Sequence, residues 1–160
     1  MKTEKILIVD DEPLTRVMMR KALEGEGYRV SAVRSAGEAL RQAGEENFDL
    51  VLADIVIPDN GGLELVEELR RVSPDIIPLL IRDYQDIETA RAAMRVGVYD
   101  CIVDPLERSE LCTTVARALR RRWLIKEALR RRRLIDGDSL CRGLAGFIRS
   151  KKSHQRAAAS

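Results

Sequence analysis

The sequence predicts a doubly wound α/β fold: five parallel strands with helices packed on both faces. Three observations carry that expectation. Short apolar runs rich in β-branched residues recur along residues 1–105, too short for helices and apolar throughout rather than alternating. Between them lie segments whose apolar residues fall at helical spacing. Glycine or proline punctuates nearly every change of period.

Ile6-Leu7-Ile8-Val9 reads as a strand buried on both faces, closed by Asp10-Asp11. Pro13 suits the first turn of a helix, Val17, Met18, Ala22 and Leu23 supply its stripe, and Gly25 and Gly27 end it. Tyr28 to Val33 is the second strand. Ser35 caps a helix carrying Ala36, Ala39, Leu40 and Ala43, ending at Gly44. Leu50 to Ala53 is the third strand, closed by Asp54. Pro58, Asn60, Gly61 and Gly62 form a loop before a helix with Leu63, Leu65, Val66 and Leu69. Ile76 to Ile81 is the fourth strand, followed by Arg82-Asp83. Ile87, Ala90, Ala93, Met94 and Val96 line a helix that Gly97 stops. Tyr99 to Val103 is the fifth strand, and Pro105 blocks its continuation past Asp104.

The last third is different. Glu107 to about Arg133 contains no Gly or Pro and predicts one extended helix. Leu111, Val115, Ala118 and Leu119 can face the sheet. Gly137 is expected to break the pattern, with Asp138 or Ser139 capping a short segment of Leu140, Leu144, Phe147 and Ile148. Ser150 to Ser160 reads as a frayed, disordered tail. The expected organisation is a domain over 1–122 and a basic helical extension with a tail over 123–160.

Composition bounds the function. Hydrophobic residues are 45% and charged residues 34%, enough for a core and too balanced for a disordered chain. No apolar run nears the ~20 residues a bilayer span needs, so no membrane partner is expected. The first residues lack a secretory pattern. Cys101, Cys112 and Cys141 form an odd set without CxxC spacing, which argues against a disulfide framework or a zinc site. The expected setting is cytoplasmic. The net charge of +2 conceals a division: residues 1–105 hold 13 Lys+Arg against 21 Asp+Glu, and residues 106–160 hold 15 against 5.

In a doubly wound sheet the ligand site lies at the carboxyl ends of the strands, beside the switch in strand order. Asp10, Asp11 and Asp54 all fall at such ends. Any one of them alone would be an ordinary solvated loop residue. Together they repel one another unless a cation holds them or some stay protonated. A hard divalent ion, Mg²⁺ or Mn²⁺, suits oxygen ligands, and a carboxylate beside it can attack phosphorus to give an aspartyl phosphate.

These residues bring a resemblance into view. Ile6 to Pro13, Asp49 to Asp54 with Pro58 and Gly62, Asp86-Ile87-Glu88-Thr89-Ala90, and Pro105 together resemble the receiver domain of two-component response regulators over about residues 4–122. The resemblance implies a flavodoxin-like sheet with order 2-1-3-4-5 and an extended C-terminal helix. It implies Asp54 as phosphoacceptor, with Mg²⁺ held by Asp10, Asp11, Asp54 and the backbone carbonyl of Val56. It implies a histidine kinase or phosphotransfer protein as donor and a role in switching protein interactions rather than as an enzyme. The only histidine, His154, sits in the tail, so the donor is expected to be another molecule.

Three positions depart from the family pattern. Arg82 stands where receivers carry Thr or Ser, Asp104 where they carry Lys, and Cys101 where they carry an aromatic residue. Reversing one charge near the reacting centre is worth roughly 4 kcal/mol at ~4 Å and an effective dielectric near 20. The expectation is an Arg82–Asp104 ion pair across the pocket rim, with Arg82 reaching Asp54 or a phosphoryl oxygen. The competing reading is a pseudo-receiver, an interaction module in which phosphorylation is weakened or lost. For the extension, Leu111, Ala118, Ile125 and Val115, Leu129 give a weak heptad signal for a homodimer, interrupted by Arg122 and Arg132. Arg120 to Arg122 and Arg130 to Arg133 invite nucleic acid. With little aromatic interleaving, the balance falls to a solvated helix face.

Overall fold

The computed structural model describes the backbone of residues 4–59, 61–83, 87–104 and 107–158. Asn60, Asp86 and Pro105 lie outside the described residues, as do the side chains of Ile87, Thr89, Ala90, Asp104 and residues 138–160. Five strands alternate with five helices: β1 Lys5–Val9, α1 Pro13–Gly25, β2 Arg29–Val33, α2 Ala36–Glu45, β3 Leu50–Asp54, α3 Gly61–Val72, β4 Ile77–Asp83, α4 Ile87–Val96, β5 Asp100–Asp104 and α5 Arg108–Ala158. Every pairing is parallel, and the order is β2-β1-β3-β4-β5.

Strands β1 and β3 are buried on both faces, as their unbroken apolar runs require. One face carries Leu7, Val9, Val51, Ala53 and Leu80 against Ala39, Leu65, Leu69 and Ala93. The other carries Ile6, Ile8, Leu50, Leu52, Leu79 and Ile102 against Met19, Leu23, Leu111, Val115 and Ala118. The two faces therefore bury α2, α3 and α4 on one side, and α1 with the first turns of α5 on the other. Removing these side chains from water, at roughly 25 cal/mol per Å² of apolar surface, is the main force holding the layers together.

The helix ends follow local chemistry. Pro13 opens α1, and the Leu14 N–H donates to the Glu12 carboxylate at 3.4 Å. Ser35 caps α2, accepting from the Glu38 N–H at 3.3 Å. Gly97 takes φ +84° and ends α4.

Three expectations are corrected. The stripe of α1 is Met19, Ala22 and Leu23, while Val17 and Met18 are exposed. Consecutive apolar residues 17–19 left the helix phase ambiguous, and the i, i+3, i+4 set anchored by Met19 is the one that meets the sheet. Met94 on α4 is likewise exposed, and Ala93 takes the buried position. Gly137 does not break α5, which continues to Ala158 as one helix. An interior glycine costs only about 1 kcal/mol against alanine, too little to end a helix among strong helix formers.

The chain divides into two units, Met1–Arg120 and Arg121–Ser160. In the first, Leu111, Val115, Ala118 and Leu119 are buried as expected. The heptad seam thereby loses three of its members to the sheet. In the second unit Trp123, Leu124, Ile125, Leu129, Leu134 and Ile135 are exposed, and Glu127 pairs with Arg130 at 2.8 Å and Arg131 at 3.4 Å.

Candidate functional site

The register of the central strands builds the site. Val9 and Ala53 are Cα partners across β1 and β3, so Asp10 and Asp54, each one residue further on, emerge side by side at the carboxyl edge. Asp11 follows Asp10 before α1 begins. One carboxylate oxygen from each of Asp10, Asp11 and Asp54 lies within 4.8 Å of the others. The three sit at different depths: Asp10 is buried, Asp54 half-buried and Asp11 exposed.

The surrounding backbone holds these acids in place. Asp10 Oδ1 accepts from the Glu12 N–H at 2.9 Å, and Asp54 Oδ1 accepts from the Val56 N–H at 3.1 Å. Arg16, one turn into α1, donates from Nη1 to the Asp10 carbonyl oxygen at 2.8 Å. Burial pushes the Asp10 carboxyl up to about 6; the Glu12 N–H opposes this, the Asp54 and Asp11 charges add to it, and Arg16 lowers it slightly. A buried carboxylate crowded by two others suits a divalent cation that would replace its lost hydration and cancel the repulsion. The donor set, all oxygen and all acidic, fits Mg²⁺ or Mn²⁺ rather than a soft metal.

The loop after β3 explains Pro58 and Gly62. The Pro58 carbonyl accepts from the Ala36 N–H at 3.4 Å, and Asp59 at φ +81° accepts from the Gly37 N–H at 3.1 Å, tying the loop to the start of α2. Gly62 donates to the Ile55 carbonyl at 2.9 Å. A Cβ at Gly62 would collide with the Asp54 carbonyl oxygen and stand 3.0 Å from the Ile55 Cα, so α3 can start this close to the acceptor strand only on glycine.

The atypical positions lie on the neighbouring strands. Asp54 pairs with Ile81, placing Arg82 one residue past the last β3–β4 pairing. Arg82 pairs with Val103 and Asp83 with Asp104, so Arg82 and Asp104 are diagonal neighbours at the strand ends. The expected ion pair needs the Asp104 carboxylate, which lies outside the described residues. Arg82 is half-buried, with its Nε sealed from solvent. Cys101 partners Leu80. Burial pushes its thiol up; the Arg82 charge opposes that, and Asp100 adds to it. Arg16 was not singled out in the sequence. Its signal was an arginine six residues after the first acid, in the opening turns of the following helix.

Among the described residues no helix is long and apolar enough to cross a membrane. Residues 6–116 match the model of the response regulator receiver domain. The chain is 34% identical over 114 residues to the transcriptional regulatory protein ZraR of Escherichia coli (strain K12), covering 71% of this chain and 26% of that protein. It is 36% identical over 116 residues to the nitrogen assimilation regulatory protein NtrX of Azorhizobium caulinodans, again covering 71% and 26%. The chain thus spans about a quarter of the length of these relatives. Among solved structures it is similar to a CheY-like receiver domain protein of Methanospirillum hungatei JF-1, with TM-score 0.72, 30% identity and coverage of 76% and 97%. It is also similar to NtrX of Brucella abortus, with TM-score 0.76, 31% identity and coverage of 79% and 29%. With that sheet order, those acids at its carboxyl edge and a family match over most of its length, the chain belongs to the response regulator receiver domains of two-component signalling.

Proposed function

We propose that this receiver accepts a phosphoryl group on Asp54, with Mg²⁺ held by Asp10, Asp11, Asp54 and the Val56 backbone carbonyl. The observation that carries the reading is the convergence of three carboxylates within 4.8 Å at the ends of β1 and β3. Mg²⁺, when bound, supplies charge neutralisation for the incoming phosphoryl oxygens. The chain's own contribution is positional. Asp54 presents a carboxylate oxygen at the sheet edge, fixed by its bond from Val56, and that oxygen forms the new O–P bond. The N–P bond of a phosphohistidine on a kinase or phosphotransfer protein breaks, and its electron pair stays on the imidazole nitrogen. Residues 1–122 form the receiver in this reading, and residues 123–160 form a basic extension.

The test treats the protein with a small acyl phosphate and Mg²⁺. The expected result is a hydroxylamine-labile mass increase on Asp54 that chelation or Asp54→Asn abolishes. Asp104, standing where receivers carry lysine, favours the second reading of an interaction module with weakened phosphorylation. Lack of modification in the native chain, appearing only with Arg82→Thr and Asp104→Lys together, would decide for that alternative.

A further inference from the structure

We propose that the helix of the second unit docks on α1 of the receiver unit in a second copy of this chain. The two units carry opposite charge. Residues 1–120 hold 16 Lys+Arg against 23 Asp+Glu, a net −7, and residues 121–160 hold 12 against 3, a net +9. Two such helices laid together repel, whereas each is drawn to the other copy's receiver. The helix also offers more than charge. Over residues 121–137 six of the seven cations are arginine, and Trp123, Leu124, Ile125, Leu129, Leu134 and Ile135 stand exposed among them. One shallow groove joins Trp123, Leu124 and Ile135 to Arg131 and Arg132. Arginine and aromatic residues with little lysine are the composition of a protein interface, and exposed apolar groups in such number mark a protein contact. A nucleic-acid backbone would neutralise the arginines and leave those apolar side chains in water.

The receiver unit has one surface that answers both features. Leu14, Val17 and Met18 are exposed on α1 at i, i+3, i+4 spacing, so they share a face, and Leu14 is 79% exposed. Elsewhere in this unit, among the described residues, the exposed large apolar side chains Val56, Val72 and Met94 stand singly on separate segments. The exposed Asp11 and Glu12 directly precede this face. Arg20 is paired with Glu24 at 2.9 Å, and Lys21 closes the far end, so an arginine-rich helix is drawn to the Asp11–Glu12 end. Residues 121–137 span about 25 Å of helix, and one such face covers less than the ~1,600 Å² of a standard interface. Reciprocal docking, each copy's helix on the other's α1, buries the contact twice and is the closed two-fold arrangement. The contact requires no phosphoryl chemistry.

The test is analytical ultracentrifugation of the full chain over about 1–200 μM, at about 0.05 M and about 0.5 M salt. The expected result is a monomer–dimer equilibrium at low salt that shifts to monomer at high salt. Because a reciprocal contact carries every substitution twice, Leu14→Lys on α1 and Arg132→Glu on the helix should each weaken dimerisation at least about tenfold. Val17→Ser and Ile135→Ser, which change no charge, should weaken it as well. All four positions are exposed, and thermal melts confirm that each variant is folded. A wild-type chain that stays monomeric throughout at low salt would overturn the proposal. If that monomer captured a random-sequence duplex DNA, the basic face would pass to nucleic acid. A dimer that ignores salt would overturn it too. So would one weakened by Ile135→Ser but within about twofold of wild type in both Leu14→Lys and Val17→Ser, since that is the signature of helix pairing with helix.

Discussion

Asp10 and Asp11 are chemically identical neighbours with opposite fates. One follows the alternation of β1 into the interior, where it is 1% exposed; the other faces water. Asparagine at position 10 keeps the oxygen that accepts from Glu12 and discards the buried charge. Asp10→Asn should therefore stabilise the metal-free protein by about 1–3 kcal/mol at neutral pH while weakening Mg²⁺ at least about tenfold. Asp11→Asn should also weaken Mg²⁺ but change metal-free stability by no more than about 0.5 kcal/mol. Chemical denaturation with chelator present, paired with calorimetry, checks both; equal stability changes at the two sites would contradict this account. The acids were legible in the sequence because each terminates an apolar run, and run ends map onto one edge of a parallel sheet. Arg16 was not, because its link to the site is a bond to a backbone carbonyl, which sequence does not display. The depth difference between Asp10 and Asp11 was hidden too, since it depends on where the ladder stops.

Elements show the same division between pattern and phase. The α/β alternation followed from the period of the apolar residues, the strand order came with the family resemblance, and the Ser35 cap followed from its side-chain chemistry. The rotation of α1 did not, because Val17, Met18 and Met19 form an unbroken apolar trio. Met19→Ala should cost ~2–5 kcal/mol, while Met18→Ala should stay within about 0.5 kcal/mol; similar losses at both would return the stripe to its sequence-based phase. The start of α3 carries a functional consequence. A Cβ at Gly62 meets backbone atoms of Asp54 and Ile55, not the yielding end of a side chain. Gly62→Ala should destabilise the fold by about 1–3 kcal/mol and slow Asp54 modification as well, because relief requires moving the acceptor strand or α3. Thermal melts and the acyl phosphate assay on one sample separate this from Gly44→Ala in α2, where a Cβ meets nothing within 4 Å and neither readout should fall.

At the scale of the receiver unit, the proposed metal ligands come from β1 and β3, joined across the middle of the sheet, so metal binding should be felt as global stability. At one hundred times its dissociation constant a ligand adds ~2.7 kcal/mol, roughly 10 °C in Tm for a unit of this size. The pH dependence follows from Asp10, whose carboxyl rises from 3.8 to about 6 on folding. A raised carboxyl favours the fold while protonated. Its contribution is complete below ~4 and lost as pH climbs through ~6, about 3 kcal/mol in all. Metal-free wild type should thus fall behind Asp10→Asn as pH rises from 5 to 7, and the gap should level off above that. Mg²⁺ requires the ionised form, so its stabilising increment should run the other way, small at pH 5 and full by pH 7.5, and it should shrink sharply in Asp10→Asn. Melting curves across that range, with Mg²⁺ and with chelator, measure both slopes on the same protein. A Mg²⁺ increment independent of pH would mean that the buried acid is not among the ligands, and the ion would then have to be held at the exposed rim.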